Sequence, residues 1–240
     1  EIDSRYLGWW ARHAYYSGLL ASVAGGVNIL HLGAVRVRNL PCPVPPLDEQ
    51  RRIVEYLDTE AARIDDLVSE QEGLIKLLEE RRSAAVSTLL TRGLRSGVAS
   101  KHSGIDLLGE IPEHWRMVPT RFVATITTGS EDSGNATEDG EYPFYVRGRE
   151  ILRIGRFSFD CEAVMTPGDG QGGTGKVFHY FDGKFEAHQR VYVFKDFKNI
   201  AGRFFYYYLS SFLGPIALAG SNTVTMESLR RPLLASFPVA

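Results

Sequence analysis

Cysteine is scarce in this chain of 240 residues: Cys42 and Cys161 are the only two. They lie in unrelated contexts, neither forms a CxxC pair, and no histidine stands at metal-ligand spacing, so neither a disulfide framework nor a metal site is expected. Reduced thiols in a cytoplasmic protein follow from this. Long apolar runs are missing as well. No stretch approaches the roughly 18 uncharged residues that cross a bilayer. Arg5, Arg12 and His13 break up the aromatic N-terminal stretch where a signal peptide would need an apolar block, so no membrane is expected among the partners. Nor is charge of one sign in excess. With 27 Lys and Arg against 29 Asp and Glu the net charge is −2 and the pI is near 6.4, which excludes the uniformly basic character of many nucleic-acid binders. The six histidines have no visible nucleophile partner, so no catalytic residue and no cofactor are assigned.

Apolar material is ample, at 44% of residues, enough for the core of one or two domains. Charge is unevenly placed: residues 46–92 hold 7 basic against 11 acidic residues, a local −4, whereas residues 143–203 hold 10 against 7, a local +3. The acidic segment also carries the strongest structural signal. Pro41, Pro43, Pro45 and Pro46 form an extended lead-in, and Pro46 fits a first helical turn, where its missing N–H is harmless. Asp48 and Glu49 place negative charge at the positive end of a helix dipole, Arg81, Arg82 and Arg92 lie toward the other end, and Gly93 is a natural stop. This predicts one helix from Leu47 to about Arg92.

Inside those limits, positions spaced alternately three and four apart read Val54, Leu57, Ala61, Ile64, Val68, Gln71, Ile75, Leu78, Arg82, Ala85 and Leu89. Only Gln71 and Arg82 interrupt the apolar seam. A stripe so narrow, kept for about five heptads, is a coiled-coil pattern and calls for a partner helix. Gln71 falls midway, so an antiparallel copy would set Gln71 against its counterpart and Ala61 against Arg82; a buried polar residue of this kind fixes register at a cost in stability. Beyond Gly93 a linker rich in Ser and Gly runs through residues 94–108. From Trp115 onward, short β-branched and aromatic runs alternate with turns: Phe122–Thr128, Phe144–Arg147, Ala163–Thr166, Val177–Phe181 and Arg190–Phe194. A mainly β domain is expected, closed by an aromatic helix from about Ala201 to Leu213.

The chain also repeats itself weakly. Arg5-Tyr6-Leu7-Gly8-Trp9-Trp10, Gly25-Gly26-Val27-Asn28 and Pro43-Val44 are echoed by Arg203-Phe204-Phe205-Tyr206-Tyr207-Tyr208, Ala219-Gly220-Ser221-Asn222 and Pro238-Val239. These aromatic clusters are expected to pack in helices and not to stack on bases.

Three stretches together resemble the specificity subunit of type I restriction-modification systems. Leu40-Pro41-Cys42-Pro43-Val44-Pro45-Pro46-Leu47-Asp48-Glu49-Gln50-Arg51-Arg52-Ile53-Val54 is similar to the start of that family's spacer helix. Gly109-Glu110-Ile111-Pro112-Glu113-His114-Trp115 is similar to the opening of a target-recognition domain, and Tyr206-Tyr207-Tyr208-Leu209 with Gly220-Ser221-Asn222 to its end. The resemblance implies an α+β protein in which a long coiled-coil spacer helix joins a mainly β target-recognition domain. Residues 1–45 would be the tail of a first recognition domain, 46–93 the spacer helix, 94–108 a linker and 109–240 the second recognition domain. Because the chain begins at Glu1 and carries one spacer helix, a fragment or a half-length subunit is expected. The implied partners are double-stranded DNA, methyltransferase (M) subunits, a restriction (R) subunit and, for a half-length chain, a second copy paired antiparallel through the helix. The helix-pairing residues would be Val54, Leu57, Ile64, Val68, Gln71, Ile75, Leu78 and Leu89. No strand leads into a glycine-rich methyl-donor turn, so methyl transfer would belong to a partner.

Base reading needs Arg or Lys toward guanine and Asn or Gln toward adenine, with further cations on phosphate. Arg147-Gly148-Arg149, the stretch from Gly168 to Lys176, and His188-Gln189-Arg190 supply such groups, and the candidates are Arg147, Arg149, Gln171, Thr174, Lys176, Gln189 and Arg190. Gly170-Gln171-Gly172-Gly173-Thr174-Gly175-Lys176 mimics a P-loop, but Val177 stands in place of the magnesium-binding Ser/Thr, and the residues that follow read as a strand where the motif requires a helix. A coiled-coil interaction scaffold without DNA recognition is the competing reading.

Overall fold

The structure, a computed structural model, describes residues 1–25, 31–95, 97–169, 174–219 and 229–240. It divides into two compact units, Glu1–Leu78 and Glu79–Ala240.

The first unit holds α1 (Ser4–Tyr16), α2 (Leu19–Val23), α3 (Ala34–Arg38) and the first part of α4 (Leu47–Arg92). Asp3 caps α1, its carboxylate accepting from the N–H groups of Arg5 and Tyr6. The same residue ties the N-terminus to α4: the Asp3 N–H donates to Gln50 Oε1 at 2.8 Å, while Gln50 Nε2 donates to Pro45 O at 2.7 Å and Glu1 O at 3.3 Å. Gln50 is fully buried, so these three bonds meet the hydrogen-bonding demand that burying an amide creates. Farther along, Trp9 Nε1 donates to Asp58 at 2.8 Å, Arg5 also pairs with Asp58, and the Tyr6 hydroxyl donates to Pro43 O at 3.0 Å.

Helix α4 is unbroken over 46 residues, which corresponds to about 69 Å of helix axis. The carbonyl of Pro46 accepts from Glu49 and Gln50, both at 3.0 Å, so Pro46 caps the helix from outside and Leu47 takes the first helical position. Gly93 ends it in the left-handed conformation (φ +70°), its N–H donating to Leu89 O at 3.0 Å. Both bounds match those expected from the charge and capping pattern.

The second unit is built on a six-stranded sheet of order β4-β9-β7-β8-β5-β6. Its strands are β4 (Thr125–Thr128), β5 (Tyr142–Tyr145), β6 (Ile151–Ile154), β7 (Phe159–Pro167), β8 (His179–Ala187) and β9 (Val191–Lys195). All neighbours are antiparallel apart from β5 and β8. Residues alternate across it: Val164 and Phe194 face a core completed by Phe205, Tyr208, Leu209, Phe212 and Leu213 of α5 (Gly202–Ala219), whereas Ala163, Met165 and Val193 join Tyr145 and Phe185 in a second cluster. Leu90, with Val86 against it, inserts the end of α4 into the first core. Trp115 packs edge-on to Phe204 and closes over Gly93, where an added Cβ would lie 3.2 Å from the indole. The two-stranded pairs β1 (Ser100–His102) with β2 (Glu110–Pro112), and β3 (Val118–Pro119) with β10 (Pro238–Val239), complete the unit, and α6 (Arg231–Ser236) precedes β10.

The mixed α+β class with a long helix and a mainly β domain is therefore as expected. The stretch 94–108 differs from the expected linker. It contains β1, which pairs with β2, and Leu108 is buried in the core, because a turn at Gly104, with φ +85°, lets the chain double back. The aromatic helix runs six residues past Leu213, carrying Pro215 within it. Tyr208 is fully buried, in keeping with a packing role, and its neighbour Tyr207 is partly exposed.

The buried amide of Gln50 yields a prediction. Gln50→Leu leaves Asp3 N–H and Pro45 C=O unpaired and should cost about 2 kcal/mol. Urea unfolding followed through Trp9 and Trp10 fluorescence, with Trp115 replaced by Phe, reads it; a loss below about 0.5 kcal/mol would show that water replaces the amide freely.

Candidate nucleic-acid interface

Three residues separate Ala187 at the end of β8 from Val191 at the start of β9, yet Phe185 pairs with Phe159 and Val191 with Pro167, at opposite ends of β7. A straight β7 would be about 26 Å long, and four extended steps reach only about 14 Å. The β7–β8 ribbon is therefore strongly bent, and Gly183, with φ +135° opposite Cys161, supplies a backbone conformation that side chains disfavour. The bend gathers the loops after β4, β5, β7 and β8 onto one rim. Backbone bonds fasten them: His188 N–H to Tyr145 O at 2.9 Å, Gln189 N–H to Glu131 O at 2.9 Å and Gly168 N–H to Arg190 O at 2.8 Å. Gly168 is a close approach, since a Cβ there would lie 2.6 Å from the Tyr192 ring.

The rim carries the predicted groups. Strand β5 stops at Tyr145, two residues short of the expected end, which leaves Arg147 and Arg149 on the loop, exposed. Lys176, Gln189 and Arg190 are also exposed, whereas Thr174 is 5% exposed and so packs inward. Gln171 lies outside the described residues, as do the glycines 170, 172 and 173 of the P-loop mimic; the residues from His179 onward form β8 and not the helix a P-loop needs.

Carboxylates that the sequence reading did not select organise these cations. Asp169 accepts from Arg190 Nη1 at 3.2 Å, and its other oxygen lies 3.9 Å from Arg147 Nη1. Asp132 sits 3.5 Å from Gln189 Nε2 and 3.9 Å from His188 Nε2. Glu131 receives Arg156 Nε at 2.9 Å and Asn135 at 2.8 Å, and the hydrogen bonds from Arg156 and then Asn135 hold its carboxyl below the usual carboxylate range. Arg149 and Lys176 make no ion pair among the described residues. The rim thus mixes both signs. Beneath it His188 is almost fully buried and accepts the Arg190 N–H through Nδ1 at 3.0 Å; burial, then the Arg147 charge, pushes its pKa down. Burial also lowers His179, whose Nε2 lies 3.2 Å from Gly148 O. Among the described residues no group of three His, Cys, Asp or Glu is placed to hold a metal, and no helix is long and apolar enough to cross a membrane.

On α4 the seam has three parts. Val54 is buried inside the first unit and Leu57 half-buried there. Ile64, Val68, Ile75 and Leu78 are each about half exposed and Gln71 is exposed, and Leu67 and Leu74, absent from the predicted seam, are equally exposed beside them. Leu89 remains partly exposed while its neighbour Leu90 is buried. The uncovered stripe is wider and shorter than predicted: Ile64, Leu67, Val68, Gln71, Leu74, Ile75 and Leu78.

No protein-family model matches the chain. The type I restriction enzyme EcoDI specificity subunit of Escherichia coli is 30% identical over 132 residues, 55% of this chain and 28% of that protein. The type I restriction enzyme MjaVIII specificity subunit of Methanocaldococcus jannaschii is 31% identical over 110 residues, 46% of this chain and 24% of that protein. The chain thus matches about a quarter of the length of these curated relatives. Among solved structures, the S subunit of a type I restriction-modification system from M. genitalium superposes with a TM-score of 0.54 at 17% identity, over 100% of this chain and 61% of its own. A chain from a study of the assembly and conformational transition of the type I restriction-modification system gives 0.67 at 19% identity, over 93% of this chain and 55% of its own. These superpositions establish a shared fold.

Two histidines, His188 buried and His179 half-buried, set a pH dependence. Their folded pKa values lie below the unfolded value of about 6.5, so the unfolded chain takes up protons first as pH falls through that value, and stability drops. The melting temperature should decline between pH 7.5 and 5.5, and His188→Gln should remove part of the decline. A profile identical in the variant would show that His188 titrates as an ordinary surface histidine.

Proposed function

This chain is a relative of the specificity subunits of type I restriction enzymes, and from that kinship we propose that it is the DNA sequence-recognition subunit of a type I restriction-modification complex. It reads one half of a bipartite site and docks methyltransferase subunits, a restriction subunit joins for cleavage, and the chain itself is non-catalytic and works in the cytoplasm. The observation that carries the proposal is the coupling of one uninterrupted helix, Leu47–Arg92, to a sheet domain whose rim exposes Arg147, Arg149, Lys176, Gln189 and Arg190. In the competing reading, a scaffold without DNA recognition, these rim cations have no task. The mixed charge of the rim fits a subunit whose partners supply part of the phosphate contact.

The partner for α4 in this proposal is a second, antiparallel copy of the same helix. The exposed stripe is symmetric about Gln71: Ile64 and Leu78 lie seven residues to either side, Leu67 and Ile75 four, Val68 and Leu74 three. The flanking charges obey the same symmetry with opposite sign, since Arg63 matches Glu79, Asp66 matches Lys76 and, with Gln71 on the axis, Arg82 matches Glu60 and not the neighbouring Ala61 expected from the seam order. Glu70 against Glu72 opposes it, and exposed Leu77 falls opposite Asp65. Such complementarity selects register and orientation in paired helices.

Two measurements test the proposal. In a mobility-shift assay with the cognate methyltransferase subunits, the chain should confer sequence-dependent, salt-sensitive binding on duplex DNA; binding indifferent to salt and sequence would refute the recognition role. Val68→Glu combined with Ile75→Glu should abolish self-association in sedimentation while leaving the melting temperature of the second unit unchanged, and a variant that still pairs would place the interface elsewhere.

A further inference from the structure

Asp169 lies between two half-exposed arginine side chains, bonded to Arg190 through one oxygen, while the other oxygen, buried from solvent, has no hydrogen-bond partner among the described residues and lies 3.9 Å from Arg147 Nη1. A carboxylate oxygen withdrawn from water without a donor is costly, and the Arg147 charge beside it offsets part of that cost. Resting on the recognition role above, we infer that Arg147, Asp169 and Arg190 form the base-reading element of this domain and that it reads a G·C pair. Asp169 acts first as a positioning residue. It offsets the repulsion between two like charges and holds the Arg190 guanidinium by Nη1, with Arg147 Nη1 3.9 Å from its other oxygen, so the remaining N–H donors of Arg190 are preorganised with less rotamer entropy to lose on binding.

An arginine so held presents the two-pronged donor pattern that matches guanine O6 and N7, and Asp169 acts through the guanidinium it positions. The backbone supports this placement: the Arg190 N–H is fixed by buried His188 and its carbonyl by the Gly168 N–H. The titratable groups coupled to the triad are His188 and, beside it, Asp132. Arg149 and Lys176, exposed and with no ion pair among the described residues, are suited to phosphate. Paired arginines thus read bases and unpaired cations set affinity.

The test is selection of duplexes with randomised positions by the full chain with its methyltransferase subunits, followed by affinity and salt titration for the selected and a scrambled duplex. The selected motif should contain a guanine whose loss weakens binding about tenfold or more. Asp169→Asn and Arg190→Lys should each erase most of that discrimination, the first leaving scrambled-duplex affinity equal or higher, the second keeping the salt slope. Arg149→Ala should lower affinity for both duplexes alike and reduce the salt slope by about one. A wild-type motif without guanine, or both triad variants retaining full discrimination at unchanged melting temperature, would overturn the inference and leave the recognition role standing. The absence of any motif for the wild-type chain would overturn both.

Discussion

Helix α4 is held at its two ends by different means and left uncovered between them. At the start, Gln50 satisfies three backbone groups while buried, and Asp58 collects Trp9 and Arg5; at the end, Leu90 sits in the sheet domain's core under Trp115 and α5. Between these anchors the apolar stripe from Ile64 to Leu78 stands in water. A helix gains its stability from packing an amphipathic face more than from propensity, so a stripe of this width implies a second helix. Length, anchoring and the uncovered middle are one constraint seen three ways.

The rim of the sheet domain follows from a different constraint, the bend in the β7–β8 ribbon. A three-residue connection cannot span a flat hairpin of that length, so the ribbon folds back and loops distant in sequence converge. Once they converge, charge has to be arranged. Asp169, Asp132 and Glu131 stand among Arg147, Arg190, Gln189 and Arg156, which leaves the rim mixed in sign, with Arg149 and Lys176 outside these pairs. Such a surface gains selectivity more readily than raw electrostatic attraction.

The long helix was fully legible in the sequence, from Leu47 to Arg92, because proline, dipole charge and a glycine stop all agree at its ends. Five of the six sheet strands were legible as existing but not in extent, and β6 was not foreseen: β8 runs to Ala187, since its second half carries Asp182, Gly183, Lys184 and Glu186, whose polarity hides a strand paired on both sides. Leu67 and Leu74 were missed because a strict three-four spacing passes over a stripe three residues wide. The rim cations were found by residue type, and the carboxylates were not, because nothing local marks Asp169 as the neighbour of Arg147 and Arg190; only the bend creates that proximity. Thr174 shows the opposite failure, a polar residue in a glycine-rich loop that folds inward. The internal echo fits the helices: Arg5 to Trp10 lies in α1 and Arg203 to Tyr208 in α5, while its asparagine-bearing middle falls outside the described residues.

If α4 pairs with its own copy about Gln71, the assembly has a two-fold axis, and a two-fold protein reads a two-fold site. The direct measurement is the methylome of cells in which this chain is the sole specificity protein, expressed with its methyltransferase subunits. The account predicts an interrupted palindrome, the same short half-site inverted across a gap of constant length. A contiguous motif, or two unlike half-sites, would contradict it.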